Sequence, residues 1–278
     1  MEMGGILINA ASLGGIALLV GVMLIVASIK FKVEEDERLP LILDVLPSAN
    51  CGGCGYAGCG AFAEALVVGN AGPSDCPVGG TDTAQKVADI LGIVVEEKER
   101  QTAFIKCIGS TSTSLFRYDY AGMADCGAMS QLAGGGSKSC AYGCLGGGSC
   151  EKACDFGAVD IQNGIAVINK DKCVACSKCI AACPKNLIEI IPHRAQVTVG
   201  CVSQDNGKVV KSHCQIGCIG CKMCAKACEV EAIEIENMFA RIDYSKCTGC
   251  NACAQKCPTT SIRSETYVKP AKAESKAV

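Results

Sequence analysis

Residues 173–184 read CVACSKCIAACP and residues 247–258 read CTGCNACAQKCP, so one Cys-x2-Cys-x2-Cys-x3-Cys-Pro spacing is written twice. Cysteines at intervals of three, closed by a fourth, suit a polynuclear iron–sulfur centre better than a single ion. The duplication extends well beyond these runs. Cys140, Cys144, Cys150, Cys154, Cys173, Cys176, Cys179 and Cys183 recur as Cys214, Cys218, Cys224, Cys228, Cys247, Cys250, Cys253 and Cys257, each 74 residues on. Eight matches at one offset, without a gap, mean a repeated module whose spacing is under geometric control.

In each module a link holds the two cysteine groups 19 positions apart, Cys154 to Cys173 and Cys228 to Cys247. In the first link Ala158–Ile161 and Ile165–Ile168 read as strands around the turn pair Asn163-Gly164; in the second, Ala232–Ile235 and Ala240–Ile242 flank Asn237. Two short strands between two cysteine loops resemble the two-cluster bacterial ferredoxins, in which the fourth Cys of each run ligates the other cluster. For the second module the resemblance implies two sets: Cys218, Cys221 and Cys224 with Cys257, and Cys247, Cys250 and Cys253 with Cys228. In the first module it implies Cys173, Cys176 and Cys179 with Cys154. Its other set, Cys144, Cys150 and Cys183, lacks one ligand, because Gly147 stands where the repeat has Cys221. Cys140 is the nearest candidate for the fourth thiolate, and a three-iron cluster is the competing outcome.

Upstream, Cys51-x2-Cys54-x4-Cys59 followed by Cys76-Pro77 forms a separate four-thiolate set. Its glycines spell G-x-G-x-x-G at Gly53-Cys54-Gly55-Tyr56-Ala57-Gly58, but a dinucleotide loop needs a strand before it, and Pro47 and Asn50 stand there. Small residues between thiolates instead let backbone amides approach cluster sulfurs.

Composition agrees. The chain has 24 Cys in 278 residues, 2 His, no Trp and 4% aromatics, so an apolar core is thin and metal–thiolate bonds are expected to supply much of the folding energy. Disulfide scaffolds belong to small secreted domains, and zinc sites come as separated Cys-x-x-Cys pairs, often with His. A net charge of −2, with no basic run alternating with stacking aromatics, excludes nucleic-acid binding.

Ile6 to Ile29 is a run of 24 residues without a charge, long enough to cross roughly 30 Å of hydrocarbon. A signal peptide would need a basic start, and Met1 to Gly5 carries only Glu2. Lys30, Lys32 and Arg38 follow, which places the remainder in the cytoplasm. After a solvated acidic stretch, Glu34–Glu37, the pattern predicts helices over Leu41–Leu46, Ala61–Val68 and Thr83–Leu91, and a strand over Gly92–Val95. Residues 107–139 read as a loop region. The expected architecture is α+β. It comprises an anchor (1–30), a small helical four-Cys [4Fe–4S] domain (31–95), a cysteine-containing linker (96–137), two tandem ferredoxin-like modules (138–195 and 196–265) and a disordered tail (266–278).

The stretch VLPSANCGGCGYAGCGAFAEALVVGNAGPSDCP, after one N-terminal anchor and before ferredoxin modules, resembles the B subunits of the Rnf complex, membrane-bound ferredoxin:NAD+ oxidoreductases that translocate Na+ or H+. The resemblance implies a single-pass subunit of the bacterial inner membrane with its soluble part cytoplasmic. It implies reduced ferredoxin as donor, membrane redox subunits as acceptors, and no NAD or flavin held by this chain itself. The module at 107–183 goes beyond shorter family members. Five [4Fe–4S] clusters use twenty cysteines, and Cys107, Cys126, Cys201 and Cys214 leave room for a sixth. His193 and His213 would suit a Rieske-like centre only if paired, and solvated or structural roles are the simpler reading. Lys172, Lys178, Lys185, Lys222, Lys226, Lys246 and Lys256 flank the cluster loops and would steer an acidic ferredoxin. Two other classes share part of this pattern: an electron-transfer subunit of a hydrogenase or carbon monoxide dehydrogenase assembly, and a membrane-anchored redox-sensing or zinc protein.

Overall fold

The computed structural model describes residues 3–30, 36–95 and 98–267, with side chains of the first helix from Ser12 onward. That helix, α1 (Met3–Lys30), is long and apolar enough to cross a membrane, and its window Ser12–Lys30 holds no buried residue. Lys32, Glu34 and Glu35, and the tail beyond Tyr267, lie outside the described residues.

Three helices make the first small domain: α2 (Arg38–Val45), α3 (Cys59–Val68) and α4 (Gly80–Leu91). Ile42, Phe62, Leu66 and Val87 form its core, with Cys54, Cys59 and Cys76 packed into it. Gly92 ends α4 in the left-handed conformation and its amide bonds back to Ala88. The strand expected over Gly92–Val95 is therefore absent. These residues leave a helix stop, and Val94 is 92% exposed with no partner strand to cover it among the described residues.

Both ferredoxin-like modules share one plan. In the first, the hairpin β2 (Val159–Gln162) and β3 (Ile165–Ile168) turns at Asn163 and Gly164, both at positive φ, as a primed two-residue turn requires. The second repeats it with β6 (Ile233–Glu236) and β7 (Phe239–Ile242) around Asn237 and Met238. A second, longer-range pair closes each module. β1 (Gln101–Ile105), at the start of the expected linker, runs antiparallel to β4 (Ile188–Pro192), while β5 (Val197–Val199) runs antiparallel to β8 (Ile262–Ser264). Ile105 faces Ile188 and Val199 faces Ile262, and those partners are repeat mates, so β1 and β5 are equivalent strands.

The remaining helices are short: α5 (Cys126–Ser130), α6 (Ser149–Lys152), α7 (Lys178–Ala181), α8 (Gly207–His213), α9 (Met223–Lys226) and α10 (Ala252–Lys256). Two-stranded sheets of this size are not stable alone. Each module's core accordingly mixes aliphatic residues with sulfur: Leu187, Ile188 and Ala166 with Cys144, Cys150, Cys173 and Cys179 in one, Val197, Ile233 and Ile262 with Cys218, Cys224, Cys253 and Cys257 in the other.

Candidate metal centres

The first domain gathers its four cysteines by a cap and a turn. Asn50 places its Oδ1 2.9 Å from the amide of Cys59 and so fixes the entry to α3. Gly52 and Gly55 take positive φ, which lets the loop curl around the thiols. Cys51, Cys54, Cys59 and Cys76 line one cavity under Pro47, Phe62 and Pro77. The Gly79 amide donates to Cys76 Sγ at 3.3 Å, while burial pushes the Cys76 thiol up from its ordinary pKa. α3 begins directly after Gly58, yet no strand precedes the glycines among the described residues, so the nucleotide-loop reading fails on its first element.

In the first module Cys154, Cys173, Cys176 and Cys179 line a second cavity. Amides reach their sulfurs: Ala103 donates to Cys173 at 3.3 Å and Ala158 to Cys154 at 3.4 Å. Such bonds stabilise thiolate charge and tune a cluster. Cys218, Cys221, Cys224 and Cys257 line a third cavity in the second module. Burial pushes Cys179 and Cys224 up to about 11 and Cys253 up to about 12. Cys257 goes the other way: burial raises it, but the Ser261 hydroxyl and the Ile262 and Thr259 amides together pull it below its ordinary value.

The incomplete quartet of the first module has a cysteine from far away in sequence beside it. Burial, and then the neighbouring sulfurs of Cys144, Cys126 and Cys183, push the Cys150 thiol up to about 12. Cys126 thus stands next to this set. A Cβ added to Gly147 would stand 3.0 Å from the Cys126 nitrogen and 2.7 Å from the Met129 sulfur, so the glycine is the gap through which Cys126 enters. Asp125 caps α5 by accepting from the Ala128 amide at 2.9 Å, and Ser149 donates to the other Asp125 oxygen at 3.0 Å, pinning α5 against α6. Cys140, expected beside Cys144, Cys150 and Cys183, instead lines a fourth cavity with Cys107, Cys201 and Cys214. The nearness of Cys140 to Cys144 in sequence misleads because the chain reverses between them, and Cys144 turns its amide rather than its sulfur toward this cavity, 3.2 Å from Cys107 Sγ.

His213 lines that same cavity, whereas His193 stands 3.8 Å from Asp171 elsewhere, so the two imidazoles do not share a site. Among the described residues no three Cys, His, Asp or Glu side chains close on the single point that one metal ion needs. Four thiols set around one cavity suit a polynuclear centre.

Comparison with known proteins bears on the same residues. Residues 217–261 match a family described as a 4Fe-4S dicluster domain, residues 166–189 a 4Fe-4S binding domain, and residues 46–78 an Fe-S cluster family. The chain is 43% identical over 246 residues to the B subunit of the ion-translocating oxidoreductase complex of Methanosarcina acetivorans, covering 88% of this chain and 93% of that one. It is 41% identical over 245 residues to the B subunit of the Na+-translocating ferredoxin:NAD+ oxidoreductase complex of Acetobacterium woodii, covering 88% and 73%. The corresponding chain of the proton-translocating complex of Clostridium ljungdahlii is 39% identical over 232 residues, covering 83% and 81%. The chain belongs to the B-subunit family of the Rnf complexes. As an Rnf B subunit it carries ferredoxin-type 4Fe–4S domains, which fit an electron-transfer role. The three family matches leave Cys107, Cys126, Cys140, Cys144, Cys150, Cys154, Cys201 and Cys214 outside their spans.

Proposed function

We propose that this Rnf B subunit is the electron-input arm of its complex, taking single electrons from reduced ferredoxin and delivering them toward the membrane subunits that serve NAD+ reduction and ion translocation. One contact carries the reading. A Cβ on Gly53 would stand 3.0 Å from Cys176 Cα, so the cysteine loop of the membrane-proximal domain is seated directly on a cysteine loop of the first ferredoxin-like module. A sensor needs one labile centre. Quartets set loop against loop suit conduction instead.

The residues that would hold the clusters are Cys51, Cys54, Cys59 and Cys76; Cys154, Cys173, Cys176 and Cys179; Cys126, Cys144, Cys150 and Cys183; Cys218, Cys221, Cys224 and Cys257; and Cys228, Cys247, Cys250 and Cys253. When bound, all-thiolate [4Fe–4S] clusters each exchange one electron at low potential. The protein's part is to exclude water, to aim amides at sulfur and to set the loops side by side. Cys221 and Cys250 are exposed, which makes the second module the face an outside carrier would meet. Lys222, Lys226 and Lys256 surround that face in solvent. Helix α1, with Lys30 in its last turn, supports one pass with the soluble part in the cytoplasm.

The test is anaerobic mixing of the detergent-solubilised full chain with reduced ferredoxin or with NADH. Reduced ferredoxin should bleach the cluster absorbance, and NADH alone should not, because a hydride donor needs a two-electron mediator. Rapid bleaching by NADH alone would sink the proposal.

A further inference from the structure

We infer that Cys107, Cys140, Cys201 and Cys214 hold a sixth cluster, built half by each ferredoxin-like module from residues equivalent in the repeat. The four line one cavity, and no family match spans it.

The symmetry is the first argument. Cys140 and Cys214 are mates in the repeat of 74 residues. Cys107 and Cys201 are mates too, hidden because they stand 94 apart: Cys107 follows β1 by two residues and Cys201 follows β5 by two. The backbone confirms the equivalence. The Lys106 amide donates to Leu187 as the Gly200 amide donates to Ser261, and Leu187 and Ser261 are repeat mates. Each module thus supplies one cysteine after its outer strand and one before its cysteine loop. The Ile108 amide donates to the Gly200 carbonyl at 3.1 Å and locks the two halves together at the cavity.

The surroundings are those of a cluster. The Cys144 amide donates to Cys107 Sγ at 3.2 Å, and the backbone of its repeat mate Cys218 lies beside the Cys201 thiol. Ser114 Oγ lies 3.7 Å from Cys214 Sγ. Lys138, 2% exposed, lines the cavity and donates to the carbonyls of Gly109 at 2.7 Å and Gly164 at 3.3 Å. Among the described residues no carboxylate pairs with it. The two carbonyls and the Phe116 ring, whose centroid is 6.0 Å from Nζ, supply no full opposite charge, and a tetrathiolate cluster of negative net charge would. The buried Nδ1 of His213, on the same wall, also has no hydrogen-bond partner among the described residues.

The placement gives the site its purpose. Cys144 would belong to the inner quartet of the first module and Cys218 to that of the second, and each follows a glycine of the cavity wall, Gly143 and Gly217. A cluster here would be the step between modules. Loading it releases the four thiol protons to solvent, and each passage moves one electron from the reduced side to the oxidised side with no bond made or broken.

The test is metal loading, read without ferredoxin, so its failure leaves the input role standing. Native mass spectrometry of the anaerobic full chain should show six [4Fe–4S] increments. The double variants Cys107→Ser with Cys201→Ser, and Cys140→Ser with Cys214→Ser, should each lose about four irons and four sulfides per chain. The unaltered chain guards against variants that do not fold. Five increments with four free thiols, or zinc bound in place of the sixth cluster, would overturn the inference.

Discussion

Gly53 lies so close to Cys176 that a methyl group cannot be added: its Cβ would stand 3.0 Å from Cys176 Cα and 2.9 Å from a ring carbon of Pro77. Two cysteine loops therefore meet at the Gly53 and Cys176 backbones, beside the Pro77 ring. Gly53→Ala should force the loops apart, at an overpacking cost of about 1–3 kcal/mol. Cluster content should stay at the wild-type value while the membrane-proximal centre re-reduces several-fold more slowly in rapid-mixing absorbance. Unchanged kinetics would show that electrons do not cross at this contact.

Cys126→Ser should damage one centre of the first module, leaving a three-iron signal in the oxidised-state EPR spectrum. Cys140→Ser should leave that centre intact. Because Gly147 occupies the place of Cys221, the pair Gly147→Cys with Cys126→Gly should return the ligand to its repeat position and restore the four-iron spectrum. Full iron content in Cys126→Ser would refute the assignment.

Several lysines beside the loops are already engaged. Lys178 pairs with Asp155, Lys246 stands 3.8 Å from Asp243, and Lys185 donates to the Ala141 carbonyl at 2.9 Å. Lys222 and Lys226 remain exposed near Cys221. Reversing both to Glu should slow reduction by ferredoxin roughly tenfold at low salt and flatten its salt dependence between about 0.05 and 0.2 M, where the screening length shortens toward 8 Å and below. A rate insensitive to both charges would move the docking face elsewhere.

A reporter fused after Val278 should be active only if its enzyme works in the cytoplasm. Activity of a periplasm-dependent reporter would reverse the orientation read from Lys30 and Arg38.

What could be read without coordinates was whatever lies within one loop. The runs at Cys173 and Cys247 and the Asn163-Gly164 turn carry their geometry in local spacing, and the structure keeps the hairpins where they were expected. Cys126 was missed because its partners Cys144, Cys150 and Cys183 are reached through a stretch without periodicity, where only the capping Asp125 marks a helix start. The short strands β1 and β5 were missed because each pairs across a long sequence separation and is only three to five residues long. The signal that would have exposed them was a second offset: Cys107 and Cys201 obey 94 where the other cysteines obey 74. Gly92–Val95 erred in the opposite sense, since β-branched residues with no partner strand remain an exposed connection.

The pairing of β1 with β4 also sets an order of manufacture. By the time residue 192 has left the ribosome, every strand of the first module exists and its two quartets can fill. The cavity of Cys107 cannot, because its wall is complete only when Cys214 has been made. Iron delivered during synthesis would therefore load the membrane-proximal domain and the first module before the joint, and the second module's own quartets, which need Cys253 and Cys257, last, so a chain stopped short of Cys214 should hold Cys107 and Cys140 as open, oxidisable thiols.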